Sequence, residues 1–393
     1  MRLTALFARF VLFLSLLLTP AICFAHEEDG ADIKDNDSAK AKVDPPASTE
    51  KQEGFNAGEM IMEHISDNHE WHVYGKTWII PLPVIVKTDK GIECFSSSNF
   101  HDPVTYDLKS YAGKYYTYKL NEEGKIVVWD DLNNAENEIA TKSLLDVSIT
   151  KNVVTLFIVV LLMFFVFFSV AKTYKKRVGQ TTKGMQSLIE PLVVFVRDDI
   201  AKTSIGPKYE RYLPFLLTIF FFIWISNLLG LIPIFPGGAN FSGNITITAS
   251  LALLTFIITM ASSKGYYWRH IFAMPGVPIG VLVILTPIEI MGVFLKPFIL
   301  MIRLFANITA GHIIALSFYC LIFIFAKNGE AAGAGFGVSV GSVAFCIFMM
   351  FLELLVGFLQ AYVFTLLSAI YFGSALEEHH HEHNEEHAAV AAH

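Results

Sequence analysis

Apolar residues run through this chain in long blocks, not in the short alternations of a soluble core. Three blocks, Asn152 to Ala171, Leu213 to Ile234 and Ile245 to Ser263, carry no charged residue. Each reaches the ~18 to 20 residues that take a helix across a hydrocarbon core of roughly 30 Å. With no water to satisfy backbone groups inside a bilayer, these blocks must be helical. Beyond Pro278 a further apolar block extends to Ala326, interrupted by Glu289, Lys296, Arg303 and His312. It is too long for one upright helix. It makes either two short spans or one long tilted helix preceded by an interfacial stretch. The last block, Val338 to Phe372, would measure on the order of 50 Å as a helix, a length that tilting accommodates. One crossing gives five spans and an inside tail; two give six and an outside tail. The expected architecture is an all-α polytopic membrane protein of about five spans plus an interfacial helix, ending in a long tilted hairpin.

The flanking polar stretches orient these spans. The first 25 residues place Arg2 and Arg9 before the apolar Phe10 to Leu18 and end at Ala21-Ile-Cys-Phe-Ala25, the pattern of a cleaved secretory signal. An uncleaved first anchor is the alternative, though its apolar centre is short for a span. Lys172, Lys175, Lys176, Arg177 and Lys183 follow the first span, which puts that loop in the cytoplasm. An exported N-terminus followed by an inward-going helix gives the same topology. Met185 to Ala201 mixes apolar residues with Glu190, Arg197, Asp198 and Asp199, as a helix lying at the interface would. The loop Phe235 to Gly243 has no Lys or Arg, as an outside loop should, and Lys264 to Arg269 returns to a basic, aromatic inside loop.

Ahead of the spans the pattern changes twice. Residues 26–54 are rich in Asp, Glu, Lys and Ala with a Pro-Pro pair and no aromatic side chain but His26, too poor in apolar surface to repay ordering, and read as a disordered acidic linker. Residues 55–146 turn aromatic and β-branched, with Thr77 to Lys87 and Gly91 to Phe95 separated by Asp89-Lys90-Gly91, which predicts a small strand-rich exported domain. Its His64, His69, His72 and His101 match no metal-ligand spacing and are expected at the surface. The membrane domain is assigned to 147–376 and a solvated, His- and Glu-rich cytoplasmic tail to 377–393.

Composition adds little. Of 393 residues 53% are hydrophobic and 17% charged, and the net charge of -7 averages acids in the exported segment and tail against bases in two short loops. Cys94 alone lies in the exported segment, so no disulfide framework is implied. No Gly-rich phosphate loop with a following Lys-Ser or Lys-Thr is present, so no nucleotide chemistry is expected of this chain.

The intramembrane charges carry the functional signal. An arginine at the bilayer centre costs about 2.5 to 3.5 kcal/mol on insertion scales. A structural interhelical salt bridge would account for Arg303 alone. On a helix, however, Glu289, Lys296 and Arg303 recur at steps of seven and drift only about 20° per step, forming one polar stripe. Asn307 is one turn further on, and His312 faces roughly the other side. In the last block Glu353, Gln360 and Tyr371 share a face. Interhelical hydrogen bonding would suffice for Gln360 and Tyr371, but a membrane carboxylate such as Glu353 usually marks an ion pathway.

The segment Leu295-Lys-Pro-Phe-Ile-Leu-Met-Ile-Arg303-Leu-Phe-Ala-Asn307-Ile-Thr-Ala-Gly-His312 closely resembles the characteristic stretch of the F-type ATP synthase subunit a (ATPase subunit 6) family. Leu359-Gln360-Ala-Tyr-Val-Phe, Ser226-Asn227-Leu-Leu-Gly-Leu-Ile-Pro233 and Asn244-Ile-Thr support it, over about Val147 to Leu376. The resemblance implies a non-catalytic subunit that translocates ions, taken as protons because His312 can carry one near neutral pH. The ions pass through two offset half-channels against a rotating c-subunit ring. Arg303 would be the essential ring-facing charge, with Asn307 and Gln360 positioning it. His312 and Glu353 would serve the outside half-channel, with acid and histidine exchanged relative to some members, and Glu289 the cytoplasmic one. Lys296, Tyr371, Asn227 and Asn244 complete the expected ion pathway. Gly230 stands where some relatives have a carboxylate. Implied partners are the c-ring, the b subunits of the peripheral stalk, the whole synthase complex in the cell inner membrane and membrane lipid. No cofactor, metal or nucleic acid is implied. A stand-alone secondary transporter or channel with a buried Arg/Glu site is the main alternative; inverted repeats would favour it, and none is evident.

Overall fold

A computed structural model describes residues 57–74, 78–102, 108–121, 124–176, 183–232, 241–274, 277–326 and 332–376, with 181 and 238. The expected signal, linker and tail, and also Arg177 and Pro233, lie outside the described residues. The chain forms two compact units. One comprises the described residues up to Lys151 together with Gly311–Phe351; the other comprises Asn152–Ala310 and the described residues from Leu352 onward.

The strand-rich part of the first unit follows helix α1 (Ala57–Ile65). Strands β1 (Glu70–Tyr74) and β2 (Trp78–Pro81) pair antiparallel. β3 (Pro83–Thr88) pairs with β4 (Gly91–Ser96) on one side and with β9 (Leu145–Asp146) on the other. β5 (Tyr111–Ala112), β6 (Thr117–Leu120), β7 (Ile126–Asp130) and β8 (Ala135–Glu136) form a meander, and α2 (Glu138–Lys142) follows. The period of two is visible in β3, where Val84 and Val86 are fully buried between more exposed neighbours. They meet Phe95, Phe100, Tyr118, Ile126 and Val128 in one core. At the β3–β4 turn Gly91 takes φ 148°, a conformation that an L side chain rarely adopts.

Two of the domain's histidines depart from the surface expectation. His69 is 7% exposed and its Nε2 lies 2.7 Å from Asp146 Oδ2; His101 Nε2 lies 2.6 Å from Glu70 Oε2. Their carboxylate partners come from positions 77 and 31 residues away in the chain. Spacing along the sequence cannot reveal such pairs.

Among the described residues five helices are long and apolar enough to cross a membrane. They are α3 (Lys151–Lys176), α5 (Leu213–Gly230), α6 (Ile245–Ser262), α8 (Ile279–Ala326) and α9 (Ala332–Leu376). Two shorter helices lie between them in sequence, α4 (Met185–Phe195) and α7 (Gly265–Phe272). α4 continues as a π-helical stretch over Val196–Lys202, whose inner side buries Val196, Ile200 and Ala201 completely. Outside, Arg197 Nη2 pairs with Asp198 Oδ2 at 2.7 Å, and Lys202 also holds Asp198. These two cations keep the Asp198 carboxyl well below the usual carboxylate range.

α8 settles the choice that its sequence left open. It is one unbroken helix of 48 residues, rising about 72 Å at 1.5 Å per residue. Pro287 and Pro297 lie inside it. α9 is likewise continuous over 45 residues.

α5 is apolar on every side and forms the centre of the second unit. Leu216, Ile219, Phe220, Phe221, Phe222 and Ile223 are all 2% exposed or less. They join one core with Val159 of α3, Leu251 of α6, Leu300 and Leu304 of α8, and Phe364 and Phe372 of α9. Gly373 permits a close approach of α9 to another segment: a Cβ built there would stand 2.0 Å from the Ser204 carbonyl oxygen.

Candidate functional site

The heptad stripe of α8 is present as a helical face. Leu300, Leu304 and Ile308, four residues apart, form its buried ridge. Ile299, Arg303 and Asn307 form one exposed ridge, and Ile302, Ala306 and Ala310 a second beside it. Arg303 therefore projects from an apolar face on which two alanines leave room for close approach by another helix. Glu289 and Lys296, earlier on the stripe, are half-buried.

Lys296 Nζ lies 5.6 Å from the centre of the Tyr371 ring, within reach of a cation–π contact. Both residues line a narrow cavity with Thr255 and Thr259 of α6, Tyr267 of α7 and Ser374 of α9. Its volume, about 10 Å³, is the lower limit for one water molecule. Tyr267 is buried at the same place, and burial followed by the charge of Glu289 pushes its hydroxyl pKa up. Lys296 and Tyr371 thus share one small pocket, and Glu289, which does not line it, acts there through the charge it presents to Tyr267. Thr255, Thr259 and Tyr267 were missed by the sequence reading. Thr248, Thr255 and Thr259 stand at helical spacing on one buried face of α6, a signal that was there to be found.

The other expected residues are placed individually. Gln360 is buried on α9, and Glu353, seven residues before it, is half-buried. His312 is half-buried on α8, nine residues beyond Arg303. Asn227 is buried in α5 and its Nδ2 donates to the Gly357 carbonyl of α9 at 3.0 Å. Asn244 caps α6, its Oδ1 accepting from Thr246 N at 2.9 Å. The geometry thus gives Asn227 and Asn244 helix-joining and helix-starting work.

Long apolar helices, a core built around α5 and an arginine on an apolar helix face define a class: polytopic membrane proteins with charge inside the bilayer. The chain belongs to the ATP synthase A chain family, whose model matches residues 153–373. A second model, Domain of unknown function (DUF8433), matches residues 60–147. The chain is 44% identical over 247 residues to ATP synthase subunit a of Chloroherpeton thalassium, covering 61% of this chain and 70% of that one. It is 44% identical over 255 residues to ATP synthase subunit a 2 of Chlorobaculum tepidum, covering 63% and 69%. It is 41% identical over 251 residues to ATP synthase subunit a of Myxococcus xanthus, covering 62% and 78%.

Proposed function

We propose that this chain translocates protons as the a subunit of the membrane sector of an ATP synthase, with Arg303 as the fixed charge that faces a rotating ring of c subunits. The observation that carries the reading is Arg303 exposed between Ile299 and Asn307, beside a ridge of Ile302, Ala306 and Ala310. A guanidinium held on an apolar face inside a bilayer is costly by itself, and a partner that brings carboxylates would offset that cost. Guanidinium keeps its proton at every physiological pH, so it cannot relay protons itself. It does lower the pKa of a nearby carboxylate by roughly 1 to 3 units, so a protonated ring site releases its proton before passing.

Around that charge the remaining residues take the roles that the family resemblance suggests. Asn307 and Gln360 position Arg303. His312 and Glu353 serve the outside half-channel. Glu289 serves the cytoplasmic half-channel, and Lys296 and Tyr371, with the pocket they share, belong to the ion pathway. The strand-rich domain is extracytoplasmic, the C-terminal tail cytoplasmic, and b subunits of a peripheral stalk hold the chain against the ring in the cell inner membrane. The test is ATP synthesis and passive proton leak in vesicles carrying Arg303→Ala at matched assembly. Synthesis should vanish; unimpaired synthesis would return Arg303 to a structural role.

A further inference from the structure

The strand-rich domain holds a chemistry that proton translocation does not use. Where α1 runs into β1, three consecutive residues are tied to the segment that leads from β9 into α3. Thr150 Oγ1 donates to Asp67 Oδ2 at 3.0 Å, Lys151 N donates to the Asn68 carbonyl at 3.1 Å, and His69 Nε2 lies 2.7 Å from Asp146 Oδ2. Asp146 Oδ1 in turn accepts from Ser148 N at 2.9 Å, and Ser148 Oγ accepts from Ile85 N at 3.0 Å in β3. The third rung is titratable on both sides and largely buried. The next residue, Glu70, continues the pattern with His101 at 2.6 Å.

The ladder fixes α1, which ends four residues before His69. α1 in turn touches the far half of α8 at one point: Met60 Sδ lies 3.8 Å from Cys320 Sγ, and Cys320 is 1% exposed. We infer that α1 is a hinged cap over the outer part of α8, and that the His69–Asp146 pair is a pH-sensitive latch that holds the cap down. The sensing of external pH rests on the extracytoplasmic placement of the domain proposed above.

The sign of the response follows from the surroundings of the pair. Burial alone would depress His69, but the Asp146 hydrogen bond and charge, the Asp67 charge and the Gly124 carbonyl outweigh it and raise it above its ordinary 6.5. Burial likewise opposes ionisation of Asp146, but His69 and Ser148 hold it below its ordinary 3.8. His69 therefore contributes latch strength fully below pH 6.5, and this is lost as pH rises through its raised value. Asp146 contributes fully above pH 3.8, lost as pH falls through its depressed value. The latch is tight in a mildly acidic exterior and slack in an alkaline one. Glu70 with His101, and Lys151 at the ladder's end, are the other charged groups beside it.

The cap can be read through Cys320. In assembled complex with Cys23→Ser, Cys94→Ser and Cys346→Ser, maleimide labelling of Cys320 is followed by mass on this chain, in the parent and with His69→Gln. The ratio of the two rates cancels the pH dependence of the thiol itself. The variant should label roughly five- to tenfold faster at pH 6, the margin between charge-assisted and neutral hydrogen bonds, and the ratio should fall toward one at pH 8.5. Thr150→Val, which removes a rung without a titrating group, should speed labelling equally at both values. A ratio for His69→Gln that does not change with pH overturns the latch. If His69→Gln fails to assemble, Asp146→Asn must give the same pH-dependent ratio. A second chain keeping only the exposed Cys94 tests sidedness separately. An impermeant maleimide must label it from outside intact cells, and failure there removes the external sensing while leaving the latch result standing.

Discussion

Substituting Gly373 by alanine tests the packing that holds α9 in place. The added Cβ would lie 2.0 Å from the Ser204 carbonyl oxygen and 3.1 Å from its carbon, both backbone atoms that cannot swing aside. Relief requires the C-terminal turns of α9 to withdraw by more than an ångström, or the segment around Ser204 to yield. Overpacking of this kind costs about 1 to 3 kcal/mol and sometimes more, while replacing a helical glycine by alanine returns only about 0.8 to 1.0 kcal/mol. The net expectation is a loss of up to about 2 kcal/mol, toward the upper end because the opposing atoms are backbone. The same displacement would carry Tyr371, two residues earlier, away from Lys296. Gly341 in the same helix is the control, because nothing lies within 4 Å of a Cβ built there. Purified complex is heated in steps, and retention of this subunit is followed on native gels alongside ATP-driven proton pumping. Gly373→Ala should lose subunit and pumping at lower temperature, and Gly341→Ala should match the parent. Equal behaviour of the two variants would refute the argument that a backbone contact requires glycine at 373.

Asn227→Leu removes the hydrogen bond to the Gly357 carbonyl and should cost about 0.6 to 2 kcal/mol in the same heating assay; no change would mean the bond is replaced within the helix pair. Glu93→Gln acts on the strand-rich domain. Glu93 Oε2 accepts from the Tyr118 hydroxyl at 3.0 Å and from Tyr115 N at 3.4 Å, and its other oxygen accepts from the Lys114 backbone N–H, so either orientation of a glutamine amide would set its NH2 against a backbone donor. An uncompensated buried donor costs about 1 to 3 kcal/mol, and limited proteolysis of the intact complex should cut between β4 and β7 sooner than in the parent.

Much of this structure was legible in the sequence because membrane physics writes in long strokes. The first and third spans begin and end within a few residues of their charge-free blocks, and the strand pair around Asp89-Lys90 follows from alternation and a turn signal. The ambiguity in α8 had a physical source: Pro287 and Pro297 allow a break, and the sequence alone does not say whether the helix runs on through them, as it does from Ile279 to Ala326. Arg303 and Asn307 stand out from residue type and helical spacing alone. The pocket around Lys296 does not, because it is assembled from α6, α7, α8 and α9 and no local pattern joins them. The histidines of the strand-rich domain failed for the same reason: His69 finds its partner at the far end of the domain.

Pro297 lines the pocket beside Lys296 and Tyr371, and it has no N–H to offer the carbonyl of Val293, four residues earlier and on the same wall. The ladder of α8 therefore lacks one rung beside the pocket, and the helix must make up for it locally inside the apolar layer. A helix short of one backbone bond yields more easily at that point, so the pocket lies where α8 can bend at least cost.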